Sequence, residues 1–398
     1  MSRSVSIAKP IHPFPARMAA DIALKELASF PPRSLILDPM AGSGTVLRAA
    51  AEQGYKGLGF DLDPLAVLIT KVWTTYIRPE ELCDAVCRVT ARAQDVSSED
   101  VWLPWIDADE ETSEFVEYWF GSRQRNDLRR LAHVLQETNG SVSDALRIAL
   151  SRMIITKDRG ASLARDVSHS RPHRVRDDND FEVFDQFLRS ARQLAKLLGE
   201  QRLPGTVEMH NGDARRLVDV DAALADGAIT SPPYLNAIDY MRGHRMSLVW
   251  FGHSVGELRT IRAESIGSER APLPGADLTL AELLVSPLGS LASLPRDVRR
   301  MIDRYVLDLL DMMTELHRVL RPRGKAILVI GNSTLRGVFV KNAAVVAAIA
   351  ERVGFELVRE TERELPPSRR YLPPPKGSGN SLFEKRMRTE TVLTCVRV

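Results

Sequence analysis

Cysteine is scarce: Cys83, Cys87 and Cys395 are the only three in 398 residues. That number excludes a disulfide scaffold. Cys83 and Cys87 are four apart and share one helical face, with no His or Cys nearby to complete a metal site, so no structural metal is expected. Long apolar runs are also missing, and nothing approaches the length needed to span a bilayer. The first residues, M-S-R-S-V-S-I-A-K-P, lack the apolar core of a secretory signal, so no membrane partner and a cytoplasmic location are the default expectations. Lysine is rare too. Only ten of the 54 basic residues are Lys, so the positive charge is overwhelmingly Arg, although the net charge is only +2. Arg presents a planar fork suited to phosphates and guanine edges, while codon bias accounts for the same composition equally well.

What is present is ordinary globular material, 44% apolar and 27% charged, ample for a large core. R-S-L-I-L-D (33 to 38) reads as a buried strand, P-M-A-G-S-G-T as a tight turn, and V-L-R-A-A-A-E-Q-G as a helix. A second strand, K-G-L-G-F-D, and a helix from Pro64 complete a parallel strand–helix–strand unit. The rhythm stops near residue 75 and resumes with T-V-E-M-H-N-G-D-A (206 to 214) and D-G-A-I-T (226 to 230). A helix over 299 to 320, the strand G-K-A-I-L-V-I-G, a helix near 341 to 353 and two late strands follow. The pattern predicts an α/β fold, a doubly wound, mostly parallel seven-stranded sheet that ends in an antiparallel pair. Residues 1–74 and 206–398 would form its core. Residues 75–205 read as a mainly helical insertion and 252–298 as a smaller, irregular one. The proline-rich loop before the last strand is too long to be idle in a compact domain.

The chemistry clusters after strands. Gly42 and Gly44 permit the sharp turn and let a ligand lie against bare backbone. Asp61 ends the second strand, where a carboxylate accepts from ribose hydroxyls. The turn has no third glycine and no phosphate-binding Lys, so a nucleoside cofactor without a pyrophosphate fits best, and S-adenosylmethionine (SAM) is of that kind. After the third strand, Asp213 is placed either to accept from an adenine amino group or to cap a helix. After the fourth comes A-I-T-S-P-P-Y-L-N-A-I-D-Y (228 to 240). Its adjacent prolines cannot continue a central strand. Ligands of open α/β sheets bind outside the carboxyl ends of strands, so these signals converge on one edge.

With H-P-F-P-A-R-M (12 to 18), D-P-M-A-G-S-G-T (38 to 45), Asp61 and T-S-P-P-Y (230 to 234), the chain resembles the SAM-dependent amino-methyltransferases, and within them the cytosine-N4 DNA methyltransferases. S-P-P-Y is the most specific element, since N6-adenine enzymes usually show D-P-P-Y or N-P-P-Y there. Met40 departs from the usual Phe. The resemblance implies a class I methyltransferase, Rossmann-like core, with Phe14 and Ala16 near the SAM methionine and Asp38 and Gly42 near its amino group. Pro39, Ala41, Gly44 and Thr45 would complete the cofactor turn. It further implies methyl transfer to the N4 amine of a flipped cytosine in DNA, at Ser231, Pro232, Pro233 and Tyr234, and a possible companion restriction endonuclease. The Ser231 hydroxyl and the Pro232 carbonyl would accept from the amine while Tyr234 stacks on the base.

Residues 157 to 176 carry Lys157, five Arg and two His against two Asp. Arg159, Arg165, Arg171, His173 and Arg174 are candidate nucleic-acid contacts there, against the plainer alternative of a solvated face. Arg123, Arg125, Arg129 and Arg130 are candidates for the same surface. Arg242 and Arg245 could face the substrate cleft, with an ion pair to Asp239 as the alternative for one of them, and Arg370 in the late loop is a further candidate. The rival functions are an RNA methyltransferase acting on an exocyclic amine and a non-catalytic SAM-binding nucleic-acid-binding protein.

Overall fold

The computed structural model describes residues 7–15, 17–165, 172–199, 202–235, 239–268, 270–272, 276–289, 291–365 and 389–398. Seven strands form one sheet: β1 (Leu35–Asp38), β2 (Lys56–Asp61), β3 (Thr206–Asn211), β4 (Ala225–Thr230), β5 (Leu320–Gly331), β6 (Phe355–Glu364) and β7 (Thr389–Arg397). Their spatial order is β6-β7-β5-β4-β1-β2-β3. Six strands point one way, five of them in one parallel ladder, and β7 lies antiparallel between β5 and β6. This is the class I methyltransferase fold. The late antiparallel pair expected from the sequence is present, and the pairing of β7 with β5 ties it into the main sheet.

The helices, in chain order, are α1 (Ala20–Leu27), α2 (Thr45–Glu52), α3 (Pro64–Thr74), α4 (Pro79–Asp95), α5 (Pro104–Asp107), α6 (Glu110–Trp119), α7 (Ser122–Gln136), α8 (Ser141–Ile154), α9 (Val183–Leu198), α10 (Met241–Leu248), α11 (Val255–Glu264), α12 (Leu278–Val285), α13 (Arg296–Val319) and α14 (Asn342–Arg352). One face of the sheet packs on α1 and α2 through Ile22, Ala23, Leu27, Val46 and Ala50. The other packs on α13 and α14, with Leu309, Met313, Leu316, Val346 and Ile349 buried. Both faces of the central strands are therefore covered, which is why L-I-L-D and A-I-L-V-I are continuous apolar runs rather than alternating ones. Gly227 in β4 leaves room for Phe30, whose ring lies where a Cβ would stand.

The insertion at 75–205 is mainly helical, with one two-residue antiparallel ladder, Ala164–Arg165 against His173–Arg174. It does not stand apart from the core. Val86, Leu131, Leu150 and Leu194 share one apolar cluster with Leu65, Ile69 and Trp73 of α3 and with Met246 and Trp250 at and after α10. Burying two tryptophans in that seam contributes several kcal/mol against exposure (on the order of 2–3 each), so the insertion is fused to the edge that carries the loops.

The stretch 252–298 is less irregular than its glycines and prolines suggest. It contains α11 and α12, each capped by a side chain: the Ser254 hydroxyl accepts from Glu257 N–H and Asp277 from Leu280 N–H. Strand β5 also begins four residues earlier than expected, because α13 passes directly into it at Leu320. A short ladder, Ser333–Leu335 with Val338–Val340, was not anticipated. Among the described residues no helix is long and apolar enough to cross a membrane.

Candidate cofactor and methyl-transfer site

The carboxyl ends of β1, β2 and β4 meet at one edge, and they bring Asp38, Asp61 and Ser231 together through a short network. Asp38 ends β1 fully inside the protein, 3% exposed. Its Oδ1 accepts from the Thr230 hydroxyl at 2.7 Å and from Met40 N–H at 3.3 Å. Burial pushes its pKa up to about 7, against the lowering effect of those hydrogen bonds, and the charge of Asp61 adds to the rise. Asp61 ends β2 and reaches under the glycine turn. Its Oδ2 accepts from Gly42 N–H at 2.7 Å and its Oδ1 from Asp63 N–H at 2.9 Å. Burial, then the neighbouring charge of Asp63, pushes it up to about 6.

Neither Asp38 nor Asp61 forms an ion pair with a Lys or Arg among the described residues. Two buried carboxylates side by side without such a partner are costly, and the cost is relieved by a cation.

The glycine turn is built as the sequence suggests, with one division of labour. Gly42 (φ +52°) is half-buried, and a Cβ there would meet only the Phe14 ring in ordinary contact at 3.4 Å. Gly44 (φ +76°) is different, because a Cβ would stand 2.6 Å from Thr70 Oγ1. Gly44 thus lets α2 close onto α3 rather than making space for a ligand. Pro39, Ala41 and Thr45 are buried behind the turn: Ala41 N–H donates to Phe60 O at 2.9 Å, and Thr45 Oγ1 pairs with Ser43 Oγ at 3.1 Å.

A second layer covers the turn. Phe14 stacks on Tyr240, centroids 5.1 Å apart, and lies against His244 at 5.3 Å. His244 is 5% exposed, and its Nδ1 is 2.5 Å from Asp63 Oδ2. Burial acts to raise the Asp63 pKa, but the His244 charge and hydrogen bond outweigh it and hold it below the ordinary carboxylate range. Asp63 also caps α3 through Leu65 N–H. The segment before Phe14 is fixed by His12, whose Nε2 is 2.8 Å from Ser151 Oγ, which in turn donates to Ser247 Oγ. Asp63, Tyr240 and His244 are site residues that sequence reasoning missed. The only local signal was Asp63-Pro64, a helix start, which says nothing of a partner 181 residues away.

On the acceptor side, Ser231 Oγ donates to Val329 O at 2.9 Å. A hydroxyl has one proton and two lone pairs, so this bond leaves Ser231 an acceptor toward everything else. Tyr234 is partly buried, in hydrogen-bonding contact with Ser231. Burial, helped by the charge of Glu390, pushes its pKa up to about 12. Pro232 is buried, and the Tyr305 hydroxyl donates to Pro233 O at 3.1 Å, which pins the loop from below.

Other expectations meet a different environment. Asp213 is neither free nor a helix cap: Arg215 Nε lies 3.0 Å from both of its oxygens and Arg215 Nη2 2.6 Å from Oδ2. Both oxygens face this guanidinium, so the adenine contact expected of Asp213 competes with Arg215. Arg123, Arg125, Arg129 and Arg130 pair with Glu182, Glu117, Asp107 and Asp127. All four partners lie within the insertion itself. Arg159 pairs with Asp180, Arg165 Nε donates to Lys157 O, and Arg174 pairs with Asp177 and stacks over Tyr118 at 4.8 Å. His173 is exposed. Arg242 pairs with Asp239, the alternative its sequence suggested. Open surface concavities on the insertion, one lined by Arg123, Asp127 and Arg130 and one by Arg159, Arg176 and Asp180, contain no residue of the strand edge. Ala16, Arg171 and Arg370 lie outside the described residues. Among the described residues no group of three or more His, Cys, Asp or Glu could hold a metal ion.

No family model and no curated protein matches the chain. Solved structures do. A TehB-like SAM-dependent methyltransferase from Corynebacterium glutamicum is 12% identical, with a TM-score of 0.31, over 96% of this chain and 88% of its own. A SAM-dependent methyltransferase from Methanosarcina mazei is 9% identical, with a TM-score of 0.32, over 93% and 94%. The rRNA methyltransferase aviRa from Streptomyces viridochromogenes is 10% identical, with a TM-score of 0.31, over 98% and 88%. At such identities the site must be argued from this chain's own side chains.

Proposed function

We propose that the protein is a SAM-dependent DNA methyltransferase that acts on the exocyclic N4 amine of cytosine. One observation supports this above the others: the 2.7 Å bond from Thr230 to Asp38. It joins the cofactor-side carboxylate to the residue immediately before Ser231, so one site serves both reactants.

SAM fits the residues present. Asp38 and Asp61 offer negative charge without a cationic side chain of their own, matching a ligand that carries an ammonium and a sulfonium. A pyrophosphate in the same place would be repelled. Each Asp61 oxygen has one backbone N–H and a remaining lone pair, enough to accept two ribose hydroxyls. When bound, SAM supplies a methyl group on positively charged sulfur for an attacking amine.

The chain's own residues do the rest. Ser231, its proton committed to Val329 O, accepts from the target amine together with the Pro232 carbonyl. That withdraws the amine lone pair from the ring and stabilises the positive charge that grows on nitrogen. Two prolines stiffen the loop that carries this carbonyl, the Tyr305 bond anchors the next carbonyl at Pro233, and positioning supplies much of the rate. Tyr234 packs against the base. A base inside a duplex cannot enter this edge, so it is flipped out.

The decisive experiment is expression in a host without DNA methylation, followed by sequencing of its DNA for N4-methylcytosine. Ser231→Ala should abolish the mark while leaving SAM affinity intact. Methylated adenine would move the assignment to another base. Label transferred only to RNA would move it to another substrate.

A further inference from the structure

Just beyond the S-P-P-Y loop, two guanidinium groups share one carboxylate, and a third lies within electrostatic reach of it. Asp239 Oδ2 lies 2.7 Å from Arg242 Nε and 2.7 Å from Arg262 Nε. Neither contact is an aligned hydrogen bond, because that oxygen has no hydrogen-bond partner. Arg245, on the same helix as Arg242, is partly buried with its guanidinium 5.0 Å over the Phe115 ring, and its Nε is also unpartnered. Burial, opposed by Asp239 and reinforced by Arg262 and Arg242, holds the Arg245 pKa below its ordinary value. The three are thus close enough to repel one another. Elsewhere on α11, Arg259 pairs with Glu111 and Glu257 with His253, while Glu264 at its end is exposed.

An anion would complete such a cluster. Forked donors with unaligned N–H groups suit a tetrahedral oxyanion with several acceptor oxygens. Its position names the ligand. Tyr240, next to Asp239, stacks on Phe14, and Phe14 touches the Gly42 turn. An anion held here lies beside the edge where the acceptor base would enter.

We propose that Arg242, Arg245 and Arg262 form a seat for one backbone phosphate of the DNA strand that presents the target base. The inference rests on the DNA methyltransferase reading and adds to it the group that grips the strand. Arg242 and Arg245 were candidates from sequence; Arg262, from a separate helix, and the convergence of all three come only from the structure.

The test is binding of a fluorescent DNA duplex by wild type and by the R242Q/R262Q double variant across a salt titration. Losing one phosphate contact should make the log-log salt slope shallower by about 0.9 and weaken binding roughly tenfold at low salt, with SAM affinity unchanged. R242K/R262K should restore the slope. A slope unchanged in the double variant overturns the seat, whatever the change in affinity. Should wild type bind no DNA, the parent reading fails, and phosphorus NMR of inorganic phosphate then decides the seat alone. Line broadening present in wild type and lost in the double variant would support an anion seat for another phosphorylated ligand, while no broadening would overturn it.

Discussion

Two sets of carboxylates lie against the same sheet, and they differ in their partners. Asp38 and Asp61 end β1 and β2 with only hydroxyl and backbone donors around them, and their pKa values rise to about 7 and about 6. Asp213, just after β3, and Asp308, on α13, share the Arg215 guanidinium, which lies 2.6 Å from each. Arg215 also donates to Glu264 O at 2.7 Å, so its fork is filled, and its pKa is raised: burial acts to lower it, but the two carboxylates prevail. Both sets are at least partly buried and acidic, but only one has arginine partners. The set with arginines is a clamp between β3, α11 and α13. The set without them is where a cationic ligand gains most by binding.

The sharpest break of this contrast is Asp61→Ala. Losing two charge-assisted hydrogen bonds to ribose should weaken SAM binding by about 100-fold or more, from roughly 1.5–3 kcal/mol per bond, as read by calorimetry. The ligand-free protein should change little in stability, because the variant also removes a buried charge. Arg215→Met should do the reverse. It leaves Asp213 without its arginine and Asp308 with Arg304 alone, which costs about 3 kcal/mol of stability in denaturant unfolding. SAM affinity in the refolded fraction should stay within about twofold, a small change in free energy. Equal effects of the two variants on binding would erase the distinction.

A subtler effect lies at Asp38. Its folded pKa, about 7, stands above the unfolded 3.8. Folding therefore favours the protonated form: that contribution is full below the unfolded value and is lost as pH rises through about 7. Asp38→Asn keeps an oxygen for the Thr230 hydroxyl and removes the ionisation. It should raise the melting temperature of the ligand-free protein by a few degrees at about pH 8 and leave it unchanged near pH 4. A cationic ligand should also pull the carboxyl down, so SAM binding near neutral pH should release protons, detectable as a dependence of the binding heat on the buffer. No release in wild type would mean that the cation of the ligand lies elsewhere.

Much of this edge was legible in sequence because its signals are local. L-I-L-D followed by two glycines, Asp61 at the end of K-G-L-G-F-D, and two prolines after A-I-T each announce a strand end, and all three stand where the sequence puts them. The capped helices α11 and α12 were legible in part: Ser254-Val-Gly-Glu257 is a capping pattern, outweighed by the glycines and prolines after it. Long-range partners were not legible. His244 meets Asp63 across 181 residues, and Arg262 meets Asp239 from a separate helix. An isolated arginine looks the same in sequence whether it grips a ligand or a neighbour, which is why the basic residues of the insertion read as a nucleic-acid surface and prove to be largely paired.

Asp213 gives the smallest expected effect and the cleanest separation of the two sets. Its sequence, N-G-D-A after a strand, is as suggestive of a nucleoside contact as that of Asp61. The geometry differs, since both oxygens already face Arg215 and Oδ1 also accepts from Arg215 N–H at 2.9 Å. Asp213→Asn keeps one acceptor oxygen for that N–H and weakens the ion pair, while Asp308 still neutralises the guanidinium. The expected loss is about 1 kcal/mol of stability, with SAM affinity unchanged. Should the affinity instead fall tenfold, Arg215 must release Asp213 when the cofactor arrives. Adenine recognition would then belong to the clamp after all, and the two sets of carboxylates would be one site.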